Sequence, residues 1–493
     1  MNPIVAENAR VGTSNWRLDQ PATAREIEGY ASATSVHRGE VIRLYVNTGA
    51  PTFVLEVFRM GWYQGLGARR VLGPVVVRGT RQLMPAMDPA TGLVDCAWVN
   101  PFALMTSNPD DPADWATGVY LARLTAAECP NGREAQSYIL FVVRDDGRQS
   151  DLLFQLSVTT YQAYNPWGGK SLYKWGSTEG ERAAKVSFNR PYAANAQNPA
   201  AAYGMGAGEF LTNLQPHPDT YKVSNAGWDY NMLRWLEREG YDLAYCTNLD
   251  THAMPGLPRR CKAWLSIGHD EYWSWEMRQH VEAARDAGVN LGFFSANCAY
   301  WQVRFEASTA SGSADRIMVC YKAVARDPLF ADSTDRSRAT DKWRSAAIDR
   351  PEEQLIGVMY AGDPVDGDIV IKAAEHWVFA GTGLDAGAVL PGLLGYEVDR
   401  VHGGGPAGVE ILAASPWTAL TDAARNGVAH MSLYTAPSGA LVFATGSIQW
   451  CWGLDDYNVP ALRSSRLNAS AQQATRNVLR CFVFRQGGVS GAG

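Results

Sequence analysis

The hydrophobic pattern of this 493-residue chain changes near residue 148, and this change constrains the fold more than any other feature. Before it, segments such as 40–48 (EVIRLYVNT) and 52–60 (TFVLEVFRM) alternate apolar and polar residues, as half-buried strands do. Turn-forming stretches separate these segments, with a spacing typical of a sandwich of two sheets. We therefore predict an immunoglobulin-like or related β-sandwich domain over residues 1–147.

A different rhythm follows over residues 148–493. Residues 151–161 (DLLFQLSVTTY) form a long apolar run, which predicts a buried strand. Residues 274–288 (SWEMRQHVEAARDAG) have helical spacing, and strands are predicted on either side, at 261–268 and 289–297. Strand–helix–strand alternation is typical of a parallel sheet covered by helices on both faces. We predict an α/β domain with a mainly parallel sheet.

Composition and charge exclude several classes of partner. The net charge of −6 argues against nucleic acid and against an anionic membrane surface. No apolar run approaches the roughly 20 residues that span a bilayer, and the first residues lack a signal-peptide pattern. The eight cysteines are scattered without a C-x-x-C pair, which favours free thiols. We predict a cytoplasmic protein; the sequence leaves a homo-oligomer open.

Polar, aromatic-rich segments follow four of the predicted strands. In open α/β sheets, ligands bind beyond the carboxyl ends of the strands. The segments are 159–173 (TTYQAYNPWGGKSLY), 269–273 (HDEYW), 295–298 (SANC) and 447–455 (SIQWCWGLD). We therefore predict that these segments meet at one rim of the sheet and form the functional site there.

Oxygen atoms are the best candidates for metal ligands in this sequence. The H-E-x-x-H motif is absent, and no cysteine cluster or closely spaced histidine pair suggests a zinc or facial-triad site. Tyr164, Tyr192 and Glu271 could supply two phenolates and one carboxylate. Such hard anionic oxygens suit Fe³⁺, whose charge would lower the phenol pKa well below its usual value of about 10. The alternative for a buried tyrosine is simple packing with one hydrogen bond.

Each candidate residue also has a structural interpretation. His269 and Asp270 could cap the following helix, and Glu271 could lie in its first turn, where the helix dipole favours a carboxylate. Asn297 could serve a turn, and Lys322 could be a solvated surface residue. Each of these alternatives is plausible alone. Together they do not explain why the residues fall at predicted strand ends on one rim.

Several sequence blocks, in a fixed order, resemble the large subunit of N,N-dimethylformamidase and its broader relatives. The most specific are 268–278 (GHDEYWSWEMR) and 291–304 (LGFFSANCAYWQVR), followed by 317–322 (IMVCYK). Block 58–71 (FRMGWYQGLGARRV) extends the resemblance into the N-terminal part. The resemblance implies a β-sandwich followed by a glutamine-amidotransferase-like α/β domain. It also implies a mononuclear iron held by two tyrosines and one glutamate, and hydrolysis of a small amide.

The resemblance further implies roles for individual residues. Glu271 matches the iron-ligating glutamate, and Tyr192 is the expected position of one tyrosine ligand. Tyr164 is preferred over Tyr161 for the other, because Tyr161 is predicted to remain within the strand. The residues that match the family's active-site groups are His269, Asn297 and Lys322. His269 would act as acid or base, and Asn297 would donate a hydrogen bond to the developing oxyanion.

Two other functions stay open on the residues alone. Cys298 follows a strand, where an amidotransferase-like fold could place a nucleophile, but Tyr300 is larger than the small residue expected two positions later. The 17 tryptophans would alternatively suit a non-catalytic saccharide-binding protein. The glycine-rich loop 60–71 (MGWYQGLGARRV) also has two interpretations. It could be an edge that covers a neighbouring site, or a turn whose glycines supply positive φ.

Overall fold

The computed structural model describes residues 2–111, 113–129, 132–195, 199–215, 224–330 and 335–484. The chain is a mixed α/β protein with several sheets and few helices. The helices are α1 (Pro3–Asn8), α2 (Val158–Tyr164), α3 (Asp229–Arg238), α4 (Asn248–Ala253), α5 (Trp275–Asp286), α6 (Glu353–Ile356) and α7 (Ala469–Phe484). Within these ranges, no helix has the length and apolar character needed to cross a membrane.

Eight strands form the N-terminal part. They are β1 (Ile27–Ala31), β2 (Ser35–His37), β3 (Val41–Thr48), β4 (Thr52–Met60), β5 (Ala68–Arg78), β6 (Phe102–Met105), β7 (Gly118–Ala126) and β8 (Ala135–Arg144). One sheet has the order β2–β8–β7–β4–β5 and the other β1–β3–β6. Alternate residues of β3 such as Ile42 and Leu44 pack with Leu55 and Val57 of β4 in one core. The strands predicted at 40–48 and 52–60 are confirmed.

The second part contains thirteen strands among the described residues. They are β9 (Ser150–Leu156), β10 (Lys185–Ser187), β11 (Leu243–Thr247), β12 (Cys261–His269), β13 (Tyr272–Ser274), β14 (Asn290–Ala296), β15 (Trp301–Glu306), β16 (Ile317–Val319), β17 (Met359–Val370), β18 (Val389–Arg400), β19 (Glu410–Ala419), β20 (Asp422–Thr435) and β21 (Leu441–Ala444). The largest sheet has the order β11–β9–β12–β14–β21–β20–β19.

The centre of this sheet is parallel. Strands β11, β9, β12, β14 and β21 pair in parallel, and β20 and β19 extend the sheet antiparallel. Helix α5 connects β12 to β14 and ends before Gly288, whose φ of 95° suits a residue without a side chain. The predicted strand–helix–strand unit over 261–297 is therefore confirmed, and its parallel strands direct their carboxyl ends to one edge.

The apolar run 151–161 differs from the prediction. Strand β9 ends at Leu156, and α2 begins at Val158. All seven residues of α2 are buried, so it lacks the polar face by which an amphipathic helix is recognised. Tyr161 and Tyr164 consequently lie on one short helix, rather than in a strand and a loop.

The long strands β17 to β20 were not predicted. Register shifts interrupt the β17–β18 pairing, and Gly362, Pro364 and Gly367 lie within β17. These residues break the apolar–polar alternation by which strands are recognised. Strand β18 nevertheless reaches one of the predicted site segments, because Val398 bridges to Ser447.

The two parts of the chain meet through buried contacts. Strand β8 ends at Arg144 and β9 begins at Ser150 in a different sheet, so the predicted boundary at 147/148 lies in the connection between them. A domain division at that point stays a prediction. Arg59 of β4 and Glu237 of α3 form an ion pair of 2.7 Å with no solvent exposure.

Candidate active site

Several segments bring acidic and phenolic side chains to one cavity of about 210 Å³. Glu271 follows the carboxyl end of β12, Tyr164 ends helix α2, and Tyr173 lies in the loop beyond that helix. Asn297 and Glu397 come from the end of β14 and from β18. The remaining wall is mostly aromatic and also contains one amide and one carboxylate: Trp175, Gln215, Tyr300, Trp301, Tyr360, Asp363 and Tyr396. Three of the four predicted segments therefore contribute to one small, polar and aromatic cavity, whereas segment 447–455 supplies none of its lining residues.

Three side chains, Tyr164, Tyr173 and Glu271, form what we call the phenol cluster. The Tyr164 hydroxyl donates to Glu271 Oε2 at 2.8 Å. The Tyr173 hydroxyl lies 2.8 Å from that of Tyr164 and 3.0 Å from both carboxylate oxygens. Tyr272 donates to Tyr173 at 2.6 Å, and the Trp301 indole donates to Glu271 Oε1 at 2.9 Å. These contacts fix three oxygen-bearing groups at one point of the cavity wall.

The charges around the phenol cluster keep its members in different protonation states. Burial raises the pKa of Tyr164 and Tyr173 well above the usual value, and the charge of Glu271 raises it further. Burial would also raise the pKa of Glu271, but His269 and Lys322 outweigh burial and lower it. Without a cation the phenols are therefore neutral, and a positive ion is what would convert them to phenolates.

His269 lies between two carboxylates. Its Nε2 is 3.2 Å from Glu397 Oε2 and 3.4 Å from Glu271 Oε2, and its Nδ1 is 3.0 Å from the amide nitrogen of Gln215. Burial would lower the pKa of His269, but the two acidic neighbours raise it well above the usual value. The imidazole of His269 therefore stays in its positively charged form, with a proton on each ring nitrogen, at neutral pH.

Asn297 presents its side chain to the cavity. Its backbone is left-handed (φ 54°), and its N–H donates to Asp399 Oδ1 at 2.9 Å. Its side-chain oxygen is buried and finds no hydrogen-bond partner in the described part of the chain. An uncompensated buried amide is costly, so this group is positioned for a ligand.

Lys322 stands behind the phenol cluster rather than on the surface. Its Nζ lies 3.4 Å from the centroid of the Tyr173 ring and 4.8 Å from that of Trp301. Burial lowers the pKa of this ammonium to about 8. It does not line the cavity, and its position suits stabilisation of a negative charge on Tyr173.

Tyr192 lies elsewhere, in contrast to the prediction that it joins Glu271. Its ring lines a separate cavity of about 580 Å³ and packs 6.3 Å from Tyr161, centroid to centroid. The preceding Arg190 explains this position, because it donates to the backbone carbonyls of Gln162, Asn165, Trp167 and Lys170. Those bonds fix the segment against the loop after α2, and Tyr173 takes the place expected of Tyr192.

Three residues of the site were missed by the sequence analysis: Tyr173, Gln215 and Glu397. Tyr173 is the last residue of the aromatic block 159–173, so the block itself was a signal. Glu397 and Asp399 place two carboxyl groups among the apolar residues at the end of β18, and this unusual pattern is a second signal. Gln215 has no distinguishing sequence pattern.

The helix-capping alternative does not agree with the structure. Helix α5 begins at Trp275, and Ser274 is its N-cap, accepting a hydrogen bond from the Met277 N–H at 3.2 Å. His269 and Glu271 therefore lie outside the helix start. Asp270 has a structural role of its own, because it accepts hydrogen bonds from Gln155, Asn248 and Ser266, each at 2.9 Å.

The geometry does not favour a cysteine nucleophile either. All eight cysteines are free, and Cys298 is buried with its Sγ 2.8 Å from Ser295 Oγ. Burial raises the pKa of this thiol well above the usual value, which suppresses the reactive thiolate. Cys298 also does not line the cavity.

A metal ion at this cavity would need the phenol oxygens. Among the described residues, no group of three or more His, Cys, Asp or Glu side chains is arranged to hold a metal ion. The oxygens of the phenol cluster are 2.8–3.0 Å apart. That is the spacing of adjacent ligands around a small ion with metal–oxygen distances of about 2.0–2.1 Å. The side chains present therefore fit a small, highly charged cation.

Comparison with known proteins adds evidence of a different kind. The mmIFT52 N-terminal domain aligns with a TM-score of 0.27 and 8% identity over 51% of this chain and 89% of its own. Murine CEACAM1b aligns with a TM-score of 0.13 and 12% identity over 27% of this chain and 63% of its own. Both TM-scores are too low to indicate a shared fold, and no curated protein matches this chain.

The family comparison is decisive by contrast. A family model described as N,N-dimethylformamidase beta subunit-like, C-terminal, matches residues 54–463. The match includes all three members of the phenol cluster together with His269, Asn297, Lys322 and Glu397. It spans most of the chain, from the N-terminal sheets to the segment after β21. The chain therefore belongs to the N,N-dimethylformamidase beta subunit-like family.

Proposed function

We propose that this protein is a metal-dependent amide hydrolase with one iron ion, Fe³⁺, held by Tyr164, Tyr173 and Glu271. The observation that carries the proposal is the convergence of these three oxygen-bearing side chains on the wall of one cavity. The cavity volume of about 210 Å³ suits a small-molecule amide. Membership in the N,N-dimethylformamidase beta subunit-like family supports the same reaction class.

The donor set is the chemical argument for iron. Two phenols and a carboxylate are hard oxygen ligands, and phenolates pair with a hard, highly charged cation. When bound, such an ion supplies Lewis acidity toward an amide carbonyl or a water molecule. Lys322, above the ring of Tyr173, stabilises the phenolate from the opposite side.

The other cavity residues divide the proton transfers of hydrolysis between them. Water attacks the carbonyl carbon of the amide, and the Glu397 carboxylate accepts the proton that the water loses. His269, held protonated between Glu271 and Glu397, donates a proton to the leaving nitrogen as the C–N bond breaks. The products are a carboxylic acid and an amine.

Asn297 and Gln215 complete the proposed site. The Asn297 amide faces the cavity and donates a hydrogen bond to the oxyanion, a contact worth about 3 kcal/mol in comparable sites. The side-chain amide of Gln215 lies 3.0 Å from Nδ1 of His269 and orients the imidazole, its oxygen accepting the Nδ1–H when the ring is positively charged.

The finer description of the fold is also part of this proposal. The shared core of the two N-terminal sheets supports an immunoglobulin-like sandwich. The five parallel strands at the centre of the large sheet support a glutamine-amidotransferase-like α/β domain.

Metal analysis combined with tyrosine variants tests the proposal. We expect about one iron per chain and a visible absorption band from phenolate-to-Fe³⁺ charge transfer. Tyr173→Phe should reduce the iron content and shift or remove the band, because it deletes one ligand oxygen. Tyr192→Phe is the matched control, since it removes the same hydroxyl at a different cavity, and should change neither. Loss of iron in Tyr192→Phe with full retention in Tyr173→Phe would overturn the ligand set.

A further inference from the structure

A second cavity, of about 600 Å³, shares no lining residue with the candidate active site. Its walls come from both parts of the chain: Trp16 and Trp62 from the N-terminal part, Arg238 from helix α3, and Tyr457 from the segment before α7. We call it the tryptophan cavity. Its volume lies within the range of about 300–1,000 Å³ found for small-molecule sites, and such sites often lie between structural units.

The glycine-rich loop 60–71 builds one wall of this cavity. Gly67 has a φ of 92°, and a Cβ there would lie 2.6 Å from the Tyr230 hydroxyl. That hydroxyl donates to the Gly67 carbonyl at 2.5 Å, so the turn is held tightly against α3. The turn in consequence presents Trp62 and Gly65 to the cavity. The glycines therefore serve a turn, as one interpretation of the loop expects, and the turn lines a cavity.

Flat aromatic surfaces dominate the walls. Trp62 is only half-buried, and the guanidinium carbons of Arg234 and Arg238 lie 4.9 and 5.5 Å from its ring centroid. Trp16 and Tyr457 lie 5.9 Å apart with planes tilted by 34°. The Trp16 indole N–H is already bonded to the Leu66 carbonyl at 3.1 Å and the ring is buried, so Trp16 supports the wall while the half-buried Trp62 and Tyr457 supply its open aromatic surface. Such walls favour a planar, largely apolar ligand.

The acidic residues of the cavity are already neutralised. Arg234 Nε donates to Asp455 Oδ1 at 2.9 Å, and both side chains are at most 10% exposed. Asp456 lies 3.6 Å from the buried Arg463 and accepts a hydrogen bond from Ser465 at 2.5 Å. Neither carboxylate is therefore left to attract a cationic ligand.

Two arginines of the cavity, Arg238 and Arg17, are in contrast compensated only in part or not at all. Glu239 is 3.7 Å from Arg238, but it accepts hydrogen bonds from both Nε and one Nη of Arg476, at 2.7 and 2.9 Å. Arg17 is exposed and has no acidic side chain within 4.0 Å in the described ranges. The cavity therefore has an excess of positive charge beside its aromatic walls.

We propose that the tryptophan cavity binds a small organic anion with a flat apolar body, that is, an aromatic or similarly planar carboxylate. Arg238 and Arg17 pair with the carboxylate, for which the planar guanidinium group is suited. Trp62 and Tyr457 contact the flat body. This site is independent of the iron site, and it would exist even if the amide hydrolase proposal were wrong.

Calorimetric titration of the full chain with phenylacetate tests this proposal. The neutral compound 2-phenylethanol has the same ring but no charge and no amide bond to hydrolyse. We expect phenylacetate to bind at least about tenfold more tightly, because only its carboxylate can form charged hydrogen bonds with the arginines. Equal affinity for the two compounds, or no binding of phenylacetate at about 10 mM, would overturn the proposal.

Variants locate the binding. Arg238→Gln and Trp62→Leu should each weaken phenylacetate binding at least about tenfold. Arg43→Gln, an exposed arginine on β3, is the matched control and should bind as the wild type does. Thermal unfolding verifies that each variant is folded. If Arg238→Gln or Trp62→Leu, both at half-buried positions, fails to fold, Arg17→Gln at an exposed position replaces it in the binding test.

A last variant separates the two cavities. Glu271→Gln alters the candidate active site and should leave phenylacetate binding unchanged. If Glu271→Gln abolishes binding while Arg238→Gln and Arg17→Gln preserve it, the anion occupies the active-site cavity and the proposal is wrong.

Discussion

Two buried polar clusters in this protein have opposite properties. The first, which we call the arginine cluster, consists of Arg59, Glu237 and their partners. Arg59 pairs with Glu237 at 2.7 Å and donates to the Thr117 carbonyl at 2.9 Å. Glu237 also accepts hydrogen bonds from Tyr245 at 2.7 Å and from Asn8 at 2.8 Å. Opposite charges balance and every group has a partner, so the cluster joins α3 to the N-terminal sheets.

The surroundings of the phenol cluster lack this balance. His269 Nε2 and Glu397 Oε2 lie 3.2 Å apart as an ion pair without hydrogen-bond geometry, and the buried Asn297 Oδ1 has no hydrogen-bond partner within the described ranges. Carboxylates and phenols outnumber the cations His269 and Lys322. Because buried polar groups are normally satisfied, unsatisfied atoms gathered at one cavity indicate a place where a ligand completes the structure. The comparison separates a cluster that stabilises the fold from one that is arranged for chemistry.

Glu271→Gln should have the largest effect. The substitution keeps the size of the side chain but removes the charge that a cation and the two phenols require. We expect loss of iron and a fall in hydrolysis of formamide or N-methylformamide of at least about 10³-fold, that is about 4 kcal/mol. Activity is measured together with metal content. An equally active, iron-containing variant would mean that the unbalanced cluster is not the catalytic site.

Glu237→Gln should act on stability instead. It leaves the Arg59 guanidinium buried without a counter-charge, which costs about 3–5 kcal/mol. Denaturant unfolding at pH 7 measures this loss, with Glu181→Gln at an exposed position as control. The iron content of the folded protein should not change. A loss of iron at full stability would reverse the roles that we assign to the two clusters.

Asn297→Ala should reduce activity without removing iron. It deletes the amide that faces the cavity, and we expect a loss of about 10²-fold to 10³-fold in kcat, or about 3 kcal/mol. Asn248→Ala is a useful comparison, because that amide donates to Asp270 behind the site and not to the cavity. The proposed oxyanion contact is wrong if Asn297→Ala retains the wild-type kcat.

Glu209→Gln should have the smallest effect of these substitutions. It should change the stability of the fold, and only at neutral or higher pH. Burial raises the pKa of Glu209 to about 7, whereas the unfolded chain has the usual value of 4.5. Below pH 4.5 both states carry the proton, and between the two values only the unfolded state ionises. Glu209 therefore lowers stability as pH rises, by up to about 3 kcal/mol above pH 7.

The Glu209→Gln variant should consequently be more stable than the wild type at pH 8 and equally stable at pH 4. Unfolding curves at the two pH values measure the difference. Glu181→Gln, with a side chain 76% exposed, is the control. A Glu209→Gln variant whose advantage is the same at both pH values would contradict the assigned pKa.

The sequence predicted those elements whose periodicity is regular. Strand β3 alternates in burial, β4 alternates in sequence although its second half is buried throughout, and α5 has helical spacing between two apolar strands, so all three were identified. Helix α2 was taken for a strand because it is buried on all sides. Strands β17 and β18 were missed because glycines and prolines interrupt their alternation.

The same limit applies to the candidate site. His269, Glu271 and Asn297 follow parallel strands, so the fold class alone predicts that they meet. The sequence does not show which of Tyr173 and Tyr192 lies beside Glu271, because that depends on the path of the loop that carries each tyrosine. That path depends on the bonds of Arg190 to four backbone carbonyls, which no periodicity reveals. Glu397 comes from a strand distant in sequence, and its position follows from sheet pairing.

The most direct test is a crystal structure of the iron-loaded protein with anomalous data collected at the iron absorption edge. We expect one strong anomalous peak per chain, within about 2.0–2.3 Å of the Tyr164 and Tyr173 hydroxyls and the Glu271 carboxylate. A peak elsewhere, or hydrogen-bonded phenols around no ion in an active enzyme, would contradict our account of this site.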